Sequence, residues 1–150
     1  VTLNGRERGS EITMDVESIT QVMHRIVSVP ADGGSTATQT TIANFRTAVT
    51  TADSAIDDDD VRYARVTNLD ATNAVTLNLQ LAANGDAAAS TNASVLLEAG
   101  KTFIINKAVG AAAVDDDADT AIVSLVDIES IIAVNDNNAD VDIEVFVASV

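Results

Sequence analysis

The chain has 150 residues, the length of one ordinary domain, and 23 acidic against 8 lysine and arginine side chains give it a net charge of −15. A field of that sign repels phosphate backbones, which argues against a nucleic-acid partner. Cysteine is absent, so disulfides and thiolate metal sites are excluded, and no apolar run reaches the ~18–20 residues of a membrane span.

The charge is uneven. Residues 1–56 hold six acids and four bases, whereas 57–150 hold seventeen acids and four bases. A cationic partner, bound divalent ions or plain solubility would each account for it. The apolar fraction of 47% rests largely on alanine and valine, with Tyr63, Phe45, Phe103 and Phe146 as the whole aromatic complement. So few rings count against sugar or single-stranded nucleic-acid binding, where stacking supplies much of the affinity.

Residues 1–10 carry Gly5 and Gly9 among polar neighbours and are expected to form a flexible arm, with a single domain over 11–150. Arg6 and Arg8 are followed by no apolar segment, so no signal peptide is expected there. In EITMDVE, Ile12, Met14 and Val16 alternate with polar residues, the period of a half-buried strand. Ser18–Val29 admits a short helix from a Ser18 cap, but its β-branched residues and Pro30 favour a strand. A loop over 30–35 follows, built on Asp32-Gly33-Gly34. Gln39–Val49 reads as a strand of weak register, with Gln39, Thr41, Ala43 and Phe45 on one face and Ile42 on the other. Ala52–Asp60 is a loop ending in four aspartates.

The clearest pattern spans Val61–Leu81. Val61 to Asn68 alternate, LDATN makes a polar turn, and Val75, Leu77, Leu79 and Leu81 share one face of a second strand. The short turn predicts an antiparallel hairpin. Beyond it come a loop over 82–93, short strands at Ser94–Glu98 and Lys101–Asn106, and a second acidic loop over 107–119. Thr120–Asp127 and Ile128–Val134 read as two apolar β-rich segments or as one long strand bent near Asp127–Ser130. After a turn at 135–140, Val141, Ile143, Val145 and Val147 point inward from the closing strand, with Asp142 and Glu144 outward. N-L-D-A-T-N and N-D-N-N-A-D each precede an alternating, valine-rich strand. Eight to ten short strands at this spacing indicate an all-β antiparallel sandwich, jelly-roll or immunoglobulin-like.

The arrangement R-x-x-R-V-T-N-L-D-A-T-N-x-V-x-L from Arg62, followed after a variable loop by L-L-E-A-G-K-T-F-I-I ending at Ile105, resembles small virion structural proteins of tailed bacteriophages. The matching positions are Thr67, Asn68, Asp70, Thr72, Asn73, Val75 and Leu77, then Leu97, Glu98, Ala99, Gly100, Lys101 and Phe103. The resemblance covers about a third of the chain and implies a β-sandwich virion subunit such as a capsid decoration (cement) protein. It supplies no catalytic residues.

The residues themselves assign no catalytic, cofactor-binding or metal site. His24 is the single histidine, too few for a triad or a histidine-rich metal site without partners in place. Asp57–Asp60 and Asp115, Asp116, Asp117 and Asp119 offer calcium-type oxygen ligands but lack the spacing of an EF-hand loop, and solvated loop tips account for them. Gly33-Gly34 has no lysine after it to make a phosphate-binding loop. Arg62 and Arg65, three apart on a strand, are expected to face opposite sides and to pair locally with Asp57–Asp60.

The expected function is therefore non-enzymatic, without a cofactor. It is that of a virion subunit assembled in the host cytoplasm, which binds the major capsid protein or other virion proteins and its own copies. The expected oligomer is a closed ring, most often a trimer. The alternative is an extracellular calcium-stabilised adhesion or surface-layer module.

Overall fold

The computed structural model describes residues 2–3, 6–7, 15–34, 36–46, 55–82, 91–114, 122 and 124–150. Its strands in chain order are β1 (Thr2–Leu3), β2 (Arg6–Glu7), β3 (Gln21–Val29), β4 (Thr38–Arg46), β5 (Ile56–Asp57), β6 (Val61–Asn68), β7 (Val75–Leu81), β8 (Thr91–Leu97), β9 (Thr102–Ile105), β10 (Ile128–Asn135) and β11 (Val141–Ser149). Among the described residues there is no helix. Ser18–Val29 accordingly settles as strand from Gln21 onward. Thr2–Leu3 pairs antiparallel with Arg6–Glu7.

Two sheets stack face to face. One has the order β3-β11-β6-β9, and the other β5-β4-β10-β7-β8. Setting aside the two-residue β5, which lies parallel to β4, successive long strands change sheet at every connection except β7 to β8. Four-stranded sheets interleaved in this way form a jelly roll, and the immunoglobulin order does not fit.

The hairpin expected over 61–81 does not form. β6 pairs with β11 and β9, whereas β7 pairs with β10 and β8. The two strands lie in opposite sheets and meet through side chains across the core, joined by an arch over residues 69–74. The same holds for the pairs β8–β9 and β10–β11. A period of two fixes which face of a strand is apolar, but it does not say whether the next strand lies beside that strand or opposite it.

The core lies between the sheets and includes Val66, Leu77, Leu81, Ile131, Ile143 and Val145, each 1% exposed or less. Three bulges adjust the alternation. Ile42 is the extra residue where β4 faces β10, so Ile42 and Ala43 are both buried while Gln39 and Thr41 turn outward, reversing the face expected for those two. Arg25 Nη2 donates to the Ile42 carbonyl, which the bulge displaces. Arg62 is the extra residue of β6 and Glu129 that of β10. The Glu129 bulge lies where a bend was expected, but the strand starts only at Ile128; Val126 before it makes an isolated bridge with Ala112. Strand β8 begins at Thr91, inside the segment expected to be loop. Most of the strand expected around Ile12–Val16 and all of Asp115–Asp119 lie outside the described residues.

The connections β3–β4, β6–β7, β8–β9 and β10–β11 gather at one end of the sandwich. Two asparagines, each 0% exposed, hold that end together. Asn68 Nδ2 donates to the carbonyls of Asn73 (2.8 Å) and Leu97 (3.2 Å), and its Oδ1 accepts the Asp70 amide. Asn135 Nδ2 donates to the carbonyls of Val29, Pro30 and Ala139, and its Oδ1 accepts from the Asn137 amide and side chain. Asn137 Nδ2 also reaches the Ala74 carbonyl at 2.8 Å, tying the two arches to each other. The paired N-L-D-A-T-N and N-D-N-N-A-D segments are thus the same device used twice: a buried asparagine satisfies backbone groups where the chain leaves one sheet for the other. Gly100, at φ 67°, gives the β8–β9 arch its left-handed residue.

Candidate interface on the four-stranded sheet

Because β3, β11, β6 and β9 lie side by side, their outward residues form cross-strand rows. One row runs His24, Phe146, Arg65, Ile104; the next, toward the start of β3 and the end of β11, is Val22, Ala148, Tyr63. Phe146 is the centre. Its ring lies 6.1 Å from Tyr63 at an edge-on 67°, 6.3 Å from His24, and 5.7 Å below the Arg65 guanidinium carbon. Around this cluster Val22, Ile26 and Ile104 are 53%, 60% and 52% exposed. Val16 and Ile19 fold beside it, and with Val22, Tyr63, Phe146 and Ala148 they line an open apolar depression of about 370 Å³.

The polar groups on this face neutralise one another. Glu144 accepts from His24 Nε2 at 2.9 Å and from Arg65 Nη2 at 2.8 Å. The hydrogen bond from His24 is the largest influence holding the Glu144 carboxyl below its ordinary value; desolvation opposes it, and the Arg65 charge adds to the fall. Since a carboxylate only accepts, the Nε2 nitrogen carries the proton in this contact. Arg65 therefore pairs with Glu144 across the sheet and not with the aspartate run, because Tyr63 and Arg65 both lie on the outer face beyond the Arg62 bulge. Arg62 does stay local, donating to the Asp59 carbonyl at 2.8 Å.

The outer face of the other sheet is different in kind. Thr76, Asn78 and Gln80 on β7 face outward, and Ser94 Oγ donates to Asn78 Oδ1 at 2.8 Å. Leu96 is its exposed aliphatic on β8. Of the acidic loops, Asp57, Asp58 and Asp59 bring one carboxylate oxygen each to within 4.8 Å of the others. That turn is already used internally, for the Asp59 amide donates to both Asp57 and Asp58.

In the sequence the aromatics are scattered over distant segments, and their convergence follows only from the strand order of the sheet. One signal was present: in the alternation of β11, Phe146 occupies a position in phase with Asp142 and Glu144, where an outward polar residue belongs. Comparison with known proteins finds no family model, no curated protein and no solved structure that matches this chain.

Proposed function

We propose that the chain is a non-enzymatic structural subunit of a bacteriophage virion, a capsid decoration protein that binds the outer shell and further copies of itself. The observation that carries the reading is the contrast between an acidic chain and a nearly charge-balanced, apolar outer sheet face centred on Phe146. The segment that resembles virion proteins gives further support, since its Asn68, Asp70, Asn73 and Gly100 are the residues that shape two of the four arches. A jelly roll by itself decides nothing, for the architecture serves lectins and enzymes as well. Negative charge favours the outside of the shell over the surface that lines packaged DNA.

Gold-labelled antibody against the chain, applied to purified intact particles of the virus that encodes it, should decorate the shell. Particles that carry no label intact and release no chain when disrupted would overturn the proposal. The competing reading, a calcium-stabilised adhesion module, draws among the described residues on the Asp57–Asp59 turn. It requires a melting temperature that climbs with calcium and falls with chelator.

A further inference from the structure

We propose that the outer face of the four-stranded sheet binds the same face of a second copy across a two-fold axis. The inference deepens the reading above, in that it rests on the chain working by protein contact and names one occupant of the contact surface.

Charge selects the occupant. The charged side chains around this face are Arg62 and Arg65 against Asp142 and Glu144, with Asp15 and Glu17 on either side of Val16, a balance of −2 in a chain of −15. A strongly basic partner would find little complementary field here. A second copy meets a face as weakly charged as its own, so closing the contact confronts little net charge with net charge.

Shape agrees. Ile26, the most exposed large apolar residue of the face at 60%, lies four residues along β3 from Val22, which lines the depression. That is about 13 Å at strand spacing. A two-fold axis passing near His24, midway between them, sets Ile26 of each copy over the depression of the other. Projection and hollow on one face are self-complementary in the way an isologous contact requires. Size admits a weak pair: strands of nine, nine, eight and four residues about 4.8 Å apart give roughly 480 Å² of flat face per copy. Two copies together bury roughly 950 Å², close to the ~1,000 Å² of a specific contact, which places the pair in the weak, reversible class. An isologous contact closes at two, so we propose a pair in place of the ring of three.

Sedimentation equilibrium from micromolar to several hundred micromolar tests this. The wild-type chain should approach twice its 15.5 kDa mass. Ile26→Glu and Ile104→Glu should each raise the dissociation constant at least about tenfold, with an unchanged circular-dichroism spectrum. Leu96→Glu, on the outer face of the other sheet, should leave it unchanged. His24→Cys introduces a single thiol near the axis of a cysteine-free chain, and a short bis-maleimide should then join two copies, whereas Asn78→Cys should stay single. A wild-type monomer throughout the range, or a dimer weakened as much by Leu96→Glu as by Ile26→Glu, would overturn the pair. A monomer that still decorates shells sinks this inference alone, and a pair absent from every particle sinks only the virion reading.

Discussion

Replacing Asn68 by alanine should destabilise the fold more than any single exposed polar substitution. The side chain is fully buried where β6 ends and makes three hydrogen bonds, to the Asn73 and Leu97 carbonyls and from the Asp70 amide. At about 1 kcal/mol net for each, the loss is about 3 kcal/mol. The Leu97 carbonyl is the buried partner and is left bare, while the other two lie at the rim where water replaces part of the bond. A range of about 2–4 kcal/mol follows, or a drop of about 10 °C in melting temperature for a domain of this size. Urea titration should show a lower midpoint at unchanged slope. Asn68→Asp sharpens the test. It keeps the acceptor for Asp70 but turns an anion toward two carbonyl oxygens, so at neutral pH it should cost more than alanine. Asn135→Ala, which removes five bonds, should exceed Asn68→Ala. An alanine loss below about 1 kcal/mol, or an aspartate tolerated better than alanine, would refute the account of these asparagines as staples between the sheets.

Asp70 accepts the Asn73 and Thr72 amides, which hold its carboxyl below the ordinary value, the Asn73 amide most. A depressed folded value means stability that is present above the ordinary carboxylate value and lost as pH falls through the folded one. Asp70→Asn should therefore flatten the decline in stability on acidification below about pH 4, as read by urea midpoints across that range. Arg25→Met should lose about 1–3 kcal/mol by stranding the Ile42 carbonyl at the β4 bulge, measured the same way. Leu77→Ala, at a position 0% exposed, should cost about 2–5 kcal/mol, whereas Leu96→Ala, 63% exposed, should stay within about 0.5 kcal/mol; equal losses at the two would contradict the assignment of inside and outside.

What the sequence made legible was each strand taken alone. Val75, Leu77, Leu79 and Leu81, and Val141, Ile143, Val145 and Val147, announce their buried faces by strict alternation, and all eight are buried. Connectivity was not legible, because alternation is blind to whether the next strand is a neighbour or an opposite. The better clue lay in Asn68 and Asn135: an asparagine at an inward position of a strand signals that backbone groups beside it need a buried partner. Bulges hid for a related reason. Ile42 and Phe45, both apolar and three apart, cannot share a face of a regular strand, yet both are buried, and only an inserted residue reconciles them. The outer face was the hardest to foresee, since its members come from four strands whose order in the sheet the chain order conceals.

The distribution of charge follows from the same division between walls and connections. Of the 23 acids only Glu129, Asp142 and Glu144 fall within the eight long strands, which also hold Arg25, Arg46, Arg62 and Arg65. The strands are thus close to neutral, and the connections and termini carry the whole excess of negative charge. Repulsion between two copies is then strongest where their connections meet and weakest where the walls meet. An acidic protein built this way stays apart in most orientations and comes together in few. With Thr76, Asn78 and Gln80 presenting polar groups on one side and Phe146 an aromatic centre on the other, the sheet β3-β11-β6-β9 is the wall through which contact between copies should cost least.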